Sequence, residues 1–144
     1  MAITYKNTWG SIITALKSKI KAEMKCPVFS QWDEVNKSTQ FIRLIPDGST
    51  QEEIMVHSEL RTYEISIQYI FQRRNNAQFQ NYVLENISRL EALVHDNPTL
   101  TLSDGSKAYN VVIGDLEFDI EDEELQDFFI TQYNFNCQHR GNLA

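Results

Sequence analysis

Residues 62–71 of this chain alternate between apolar and polar side chains except at Ile70, and this alternation constrains the fold more than any other feature. The apolar set is Tyr63, Ile65, Ile67, Tyr69 and Phe71, and the polar set is Thr62, Glu64, Ser66 and Gln68. Successive side chains of a β-strand point to opposite faces, so the run predicts a strand with one buried and one solvated face. Residues 127–138 repeat the pattern, with one face formed by Phe129, Thr131, Tyr133, Phe135 and Cys137. Such strands are typical of antiparallel sheets.

Two amphipathic segments can cover the buried face of this sheet. Apolar residues recur at helical spacing over residues 5–24, and Pro27 then ends the first helix. A second stripe covers residues 76–96, where Asn75 or Asn76 can cap the helix. Lysines fill the other face of the first helix. Membrane binding is one use of a basic amphipathic helix, but packing into the core is the more common one.

Shorter segments complete the predicted sheet. Residues 28–32 and 40–45 are predicted to form short strands, and residues 99–102 and 108–114 flank a tight turn that contains the Asp-Gly pair at 104–105. No repeat, low-complexity tract or linker divides the chain. We therefore expect residues 1–144 to form one α+β domain, with a mostly antiparallel sheet and two main helices packed on one face.

The charge of the chain limits its partners. Its 13 basic and 20 acidic residues give a formal charge of −7, which disfavours general binding to phosphate backbones. Residues 1–25 carry five lysines and one glutamate, whereas residues 115–127 carry eight acids and no base. Neither a signal-peptide pattern nor a run of membrane-spanning length occurs, so we expect assembly inside a cell. Cys26 and Cys137 are predicted to be reduced, partly buried thiols.

The acid-rich stretch 116–129 has three possible roles: a metal or catalytic cluster, a disordered tail, or a solvated strand face with a turn. Leu116, Phe118 and Ile120 alternate with acids, so a strand here would point these three side chains inward. Residues 121–124 then form a charged turn. A calcium loop needs a glycine at its sharp bend, and none lies between Asp115 and Gly141. A solvated strand face followed by an acidic loop is the favoured reading.

Recognisable catalytic, metal and cofactor motifs are missing from the sequence. His57, His95 and His139 are scattered, without C-x-x-C or H-x-x-x-H spacing. The chain also lacks G-x-S-x-G, G-x-G-x-x-G and a phosphate-binding glycine loop. Arg73 and Arg74 could contact a phosphate or a partner carboxylate, but paired arginines between a strand and a helix are usually solvated. We therefore expect no enzymatic activity, no cofactor and no metal.

Two features favour protein partners. A sheet built from alternating strands has edges that must be covered or paired, and subunit assembly is one solution. The segment from Asp47 to Glu59 is longer than a minimal turn and contains Ile54, Met55 and Val56. This apolar patch can pack either on its own chain or on a neighbouring subunit.

The arrangement as a whole resembles the tail terminator, or tail-completion (neck), proteins of tailed bacteriophages. The resemblance covers nearly the full chain and rests on the order and pattern of its elements. These are TYKNTWGSIITALKSKI, VFSQW, QFIRLI, RTYEISIQYIF leading into NAQFQNYVLENISRLEALV, the hairpin TLTLSDGSKAYNVVIG, and DFFITQYNFNCQ. The family has no catalytic residues to transfer.

The resemblance implies a structural virion protein, assembled in the host cytoplasm, that forms a hexameric ring at the head-proximal end of the tail tube. Such a ring ends tube polymerisation and meets the head connector, while DNA passes through without specific binding. Six copies at −7 each give a formal charge near −42, and acids facing the channel would repel DNA. The acids predicted to face the lumen are Glu117, Asp119, Glu121, Asp122, Glu123 and Glu124.

Subunit or partner contacts are predicted at Lys17, Lys21, Ile54, Met55 and Val56, because a closed ring joins two different patches of each subunit. A basic first helix and an acidic C-terminal half are suitable opposites, and contact with a membrane is not expected. Three alternatives remain open at this point. They are another neck or head-completion ring protein, a cytosolic α+β binding module, and an enzyme whose carboxylates are assembled by the fold.

Overall fold

The computed structural model describes residues 6–30, 40–74 and 76–142. Tyr5, residues 31–32 and Asn75, which the sequence predictions included, lie outside these ranges. The described elements, in chain order, are α1 (Thr8–Met24), β1 (Val28–Ser30), β2 (Gln40–Ile54), β3 (Ser58–Gln72), α2 (Ala77–Asp96), β4 (Leu100–Thr101), β5 (Lys107–Phe118), a 3-10 turn (Glu123–Leu125) and β6 (Phe128–Asn142).

The six strands form one sheet in the order β1-β2-β3-β6-β5-β4. Only β1 and β2 are parallel, and every other neighbouring pair is antiparallel. Strand β3 lies at the centre and pairs along its length with β2 and β6, so that Ile70 is opposite both Phe41 and Ile130. The predicted α+β class with a mostly antiparallel sheet is confirmed.

Both helices begin at asparagine caps. The side chain of Asn7 accepts a hydrogen bond from the Gly10 N–H at 3.0 Å, and that of Asn76 accepts one from the Phe79 N–H at 2.8 Å. Each cap satisfies a donor that the first helical turn leaves unpaired. The buried helix residues recur every third or fourth position and are Ile12, Leu16, Ile20, Met24, Val83, Ile87, Leu90 and Val94.

The main core lies between the helices and one face of the sheet. All five apolar residues of the β3 alternation are buried in it, as predicted, together with Tyr133, Phe135 and Cys137 of β6. The Tyr133 hydroxyl donates to Glu91 of α2 at 2.5 Å, which ties the helix to the sheet. Burial, with Glu91 adding to it, raises the pKa of Tyr133. Cys26 and Cys137 are free and buried.

The second face of the sheet is less solvated than the sequence predicts. Ser66 and Gln68 of β3 are buried, so the expectation of a wet face there is wrong. Gln68 accepts hydrogen bonds from Arg43 at 2.6 and 2.9 Å and donates to Gln132 at 2.9 Å. The Ser66 hydroxyl donates to Asp47 at 2.6 Å. Burial is possible because these polar groups bond one another across neighbouring strands.

A small apolar cluster lies beside this polar layer, on the face opposite the helices. Its buried members are Phe41, Ile70, Leu125 and Ile130, with Phe29, Ile120 and Phe128 packed around them. The segment between β5 and β6 therefore crosses the second face and covers it.

The predicted turn and excursion after residue 45 is wrong, because β2 continues to Ile54 and β3 begins at Ser58. The two strands pair through this region, with Ser49 opposite Tyr63 and Gln51 opposite Arg61. Register shifts between Pro46 and Gly48 and between Gln51 and Glu53 accommodate residues that disfavour a regular strand. None of the described helices is both long and apolar enough to cross a membrane.

Candidate functional site

The two surfaces singled out by the sequence lie at opposite ends of the sheet. Ile54, Met55 and Val56, termed the arm tip, form the turn between β2 and β3. Residues 117–124, termed the acidic segment, lie at the end of β5 that neighbours the start of β6. The 15 residues of β3 separate the two surfaces by about 50 Å at 3.3 Å per residue.

The arm tip presents three apolar side chains to solvent. Ile54, Met55 and Val56 are 63%, 55% and 87% exposed. The backbone N–H of Met55 donates to the carbonyl of Ser58 at 2.8 Å and closes the turn. Arg140 of β6 forms an ion pair with Glu53 at 3.6 Å and contacts the Met55 sulfur at 3.5 Å. A contiguous exposed apolar group at a turn is a feature of protein-binding surfaces.

The paired ends of β2 and β3 that carry the tip, residues 47–62, are termed the arm. Side-chain hydrogen bonds fix the register of its two strands. Arg61 donates to both oxygens of Glu59 at 3.1 Å and to the Ser49 hydroxyl at 3.0 Å. The Thr62 hydroxyl donates to Glu52 at 2.9 Å. The hydrogen bond from Arg61, with a second from Gln51, lowers the pKa of Glu59. The tip is therefore held on a defined support, in which β6 also pairs with β3 as far as Ser58.

The strand that leads into the acidic segment ends earlier than the sequence predicts. Phe118 was expected to point inward but is 48% exposed. Asp119 follows with a left-handed backbone, φ 55°, which ends the alternation between the two faces. As a result Leu116 packs on the helix-side core, whereas Ile120 packs on the cluster of the second face.

Two of the predicted lumen acids also hold the segment on the sheet. Asp122 pairs with Arg43 at 3.1 Å, and Asp119 pairs with Arg73. Backbone bonds support both contacts, because the Ile120 N–H donates to Ile130 at 3.1 Å and the Arg73 N–H donates to Asp127 at 3.0 Å. Arg73 is 46% exposed, as expected for a solvated arginine, and it also pairs with a carboxylate of its own chain.

The remaining predicted acids are displayed differently. Glu117, Glu121 and Glu123 are exposed, and within the described residues none of them has a hydrogen bond or ion pair. The side chain of Glu124 lies outside the described part of the structure. Over that same part, no group of three or more His, Cys, Asp or Glu residues is arranged to hold a metal ion. The exposed acids thus form a negative rim at one end of the sheet.

Helix α1 presents the positive charge that the sequence predicted. Lys21 and Lys19 are exposed, and Lys17 is partly exposed. A groove of about 650 Å³, termed the α1 groove, runs between this helix and residues 99–103. Its lining includes Gly10, Thr14, Ser18, Lys19, Ala22 and Leu102. Hydroxyl oxygens of Ser11 and Ser103, 3.4 Å apart, bridge the two sides of the groove.

A buried histidine that the sequence did not single out lies near the start of α1. The Ser106 hydroxyl donates to Asp104 at 2.5 Å, so its oxygen accepts from Nε2 of His139 at 3.0 Å. Hydrogen bonds from the Ser106 hydroxyl and backbone hold the pKa of Asp104 at about 2. In a catalytic triad histidine takes the serine proton and the carboxylate contacts histidine, whereas here the serine proton points at the carboxylate. The group is structural.

The burial of His139 predicts a pH dependence of stability. Burial lowers the pKa of His139 below its usual 6.5, while nearby Asp104 opposes and Lys6 adds to the decrease. Between the two values the unfolded chain binds a proton that the folded chain does not, so the free energy of unfolding falls as pH falls through that window. We expect the free energy of unfolding, measured in urea titrations, to be lower at pH 5 than at pH 7. The His139→Gln variant should lack this slope, and an unchanged slope would contradict the assignment.

Comparison with known proteins shows which structures share this fold. No family model and no curated protein matches the sequence. A chain from the virion of a native gene transfer agent particle matches with a TM-score of 0.66 at 12% identity, covering 95% of this chain and 100% of that one. The PVC sheath/tube terminator of an extracellular contractile injection system, in the extended state, matches with a TM-score of 0.60 at 10% identity. That match covers 98% of this chain and 58% of the terminator.

These likenesses extend over almost the whole chain and include both helices and the sheet. The protein therefore has a tail-terminator-like fold, and the fold implied by the family resemblance is confirmed.

Proposed function

We propose that this protein is a structural, non-enzymatic subunit of a phage-like tail. Residues 1–144 act as one domain, and six copies form a ring at the head-proximal end of the tail tube. The ring ends tube polymerisation and joins the tail to the head connector in a virion assembled in the host cytoplasm. The observation that carries the proposal is the match to a sheath/tube terminator over 98% of this chain.

The surface chemistry supports assembly into a ring. A closed ring joins two different patches of each subunit, and this chain presents an apolar arm tip, a lysine-rich helix and an acidic rim at separate places. Ile54, Met55 and Val56 form the arm tip, and Lys17 and Lys21 lie on the lysine-rich helix.

The exposed acids suit a channel that passes DNA without binding it. Negative charge at the wall repels phosphates and prevents sticking. We assign this role to Glu117, Glu121 and Glu123, which are exposed at one end of the sheet. Asp119 and Asp122 add negative charge but also hold the segment through Arg73 and Arg43.

A second candidate is another ring protein of the virion neck. The match to a chain of a gene transfer agent virion, complete over that chain, favours a virion component without specifying termination. Capping of tubes separates the two roles, because only a terminator is required to stop tube growth.

The proposal predicts capped tubes. Mixing the purified protein with tail tubes of the same virus should give negative-stain images of tubes with a ring at one end and a uniform length. Light scattering after size-exclusion chromatography should detect the ring, and its stability should fall with added salt because exposed charges are screened. A chain that stays monomeric with and without tubes, and leaves tube lengths unchanged, would contradict the proposal. Rings without capping would favour the neck role.

A further inference from the structure

We infer that the arm tip of one subunit seats in the α1 groove of the neighbouring subunit. This inference rests on the proposed ring and names the contact that closes it. The arm tip is the largest contiguous apolar group exposed in the described residues, since its three members are consecutive, whereas the other exposed large apolar residues are Tyr82, Leu84, Val112 and Phe118. Its partner must therefore be a concave surface with apolar lining.

The α1 groove has the dimensions and lining for such an occupant. Its volume of about 650 Å³ lies within the range of roughly 300–1,000 Å³ that is usual for binding pockets. Most of the helix residues that line it are short, such as Thr14, Ser18 and Ala22, so a neighbouring chain can approach the helix closely. Leu100 and Leu102 line the other side but are only 2% and 4% exposed, so the apolar surface comes chiefly from Gly10, Ala15 and Ala22 of the helix.

The charges around tip and groove have opposite signs. Residues 47–59 of the arm contain four acids and neither lysine nor arginine, and Arg61 and Arg140 pair with two of these acids, Glu59 and Glu53, which leaves the surroundings of the tip with a net negative charge. Residues 8–25, which include α1, contain four lysines and one glutamate. Lys19 lines the groove, and Lys21 lies on the same helix face, seven residues after Thr14. Glu52 flanks the tip and is exposed. Complementary charge of this kind sets orientation and excludes wrong pairings.

The exposed aromatic surface at the opposite end of the sheet is less suited than the α1 groove to bind the arm tip. Phe118 is exposed there and contacts Phe129, with their ring centroids 6.5 Å apart. Its surroundings include the exposed acids Glu117 and Glu121, which have the same sign as Glu52 beside the tip. Like charges brought together at an interface cost free energy, so this surface disfavours the arm.

The tip cannot fill the groove of its own chain. Trp9, at the start of α1, packs on Tyr63 with ring centroids 4.9 Å apart, and α1 then runs toward Cys26, which lies beside Tyr69. Ser18 is therefore about 13 Å further from the tip than Trp9, by the 1.5 Å helical rise. The tip lies beyond Ser58, about 16 Å from Tyr63 in the other direction. The contact must join two subunits head to tail, which is the geometry that closes a ring.

Cross-linking tests the seating directly. Cysteines placed at Val56 and Ser18, both exposed, should form covalent oligomers under mild oxidation or with a short bismaleimide in assembled rings. Wild-type protein and the V56C and S18C single variants are the controls, because the native Cys26 and Cys137 are buried. The double variant should give a ladder of multimers on denaturing gels, and each control should remain monomeric.

A charge inserted at the tip provides the second measurement. Val56→Lys, which would bring a positive charge against Lys19, should lower the apparent association constant at least tenfold, whereas Val112→Lys, at an exposed valine of β5, should leave it unchanged. Both variants should keep the wild-type melting temperature. Rings or capped tubes that form without a 56–18 cross-link, or that tolerate Val56→Lys, would overturn the seating and leave the proposed function intact. A chain that neither assembles nor caps tubes would overturn both.

Discussion

Replacing Arg43 with methionine should lower the free energy of unfolding by about 3 kcal/mol, because it removes one partner from a largely buried ion pair. The Arg43 side chain is 18% exposed and joins Gln68 of β3 to Asp122 of the acidic segment. Without it, the carboxylate of Asp122 and the amide oxygen of Gln68 both lose a charged donor. Urea denaturation measures the loss. Faster hydrogen exchange at the Ile120 amide, which bonds to Ile130, should accompany it.

An exposed ion pair on the helices provides a matched control. Arg89 pairs with Glu23 at 3.3 Å, and its side chain is 51% exposed. Arg89→Met should therefore cost less than about 1 kcal/mol, as is usual for solvated pairs. Equal losses in the two variants would mean that Arg43 is not the link that holds the acidic segment on the sheet.

Reversing the charge of the exposed acids Glu121 and Glu123 should slow DNA passage at least tenfold, because the electrostatic field of a charged surface changes rates by roughly 10 to 1,000-fold. The double substitution of Glu121→Lys and Glu123→Lys moves the formal charge of each subunit from −7 to −3. The whole of this change lies at one end of the sheet. Neither glutamate has a partner in the described residues, so folding and ring formation should be unchanged. The measurement is the rate of DNA release from particles assembled with the variant.

The same charge change on α2 tests whether position matters. Glu85 and Asp96 are exposed on this helix, and converting both to lysine also moves the subunit to −3. DNA release should then proceed at the wild-type rate. Equal slowing in both variants would point to overall charge, and normal release in both would remove the lumen assignment from Glu121 and Glu123.

The parts of the fold that the sequence predicts are those with a strong local period. The two helices and the helix-facing side of β3 and β6 follow directly from spacing, and Asn76 follows from helix-capping chemistry. The arm cannot be predicted from the spacing of residues, because Pro46 and Gly48 are typical of turns. Only the pairing of β2 with β3 through two register shifts shows that the strands continue.

The candidate site was predictable in composition and not in arrangement. The acids of residues 117–124 are evident in the sequence, but the cations that pin two of them come from distant segments. Arg43 lies 79 residues from Asp122, and Arg73 lies 46 residues from Asp119. Such long-range pairs have no local signature. The same reason explains why Gln68 and Ser66 were expected to be solvated.

The central position of β3 has a consequence for synthesis of the chain. Its partner on one side, β2, is made just before it, but β6 lies 56 to 84 residues later, from the pair Gln72–Phe128 to the pair Ser58–Asn142. At translation rates of 5–20 residues per second, β6 emerges roughly 3 to 17 s after β3. During that interval a strand rich in isoleucine and tyrosine has one unpaired edge, the condition that favours mispairing between nascent chains. Slower translation between residues 73 and 127 would lengthen that interval and lower the yield of folded subunits.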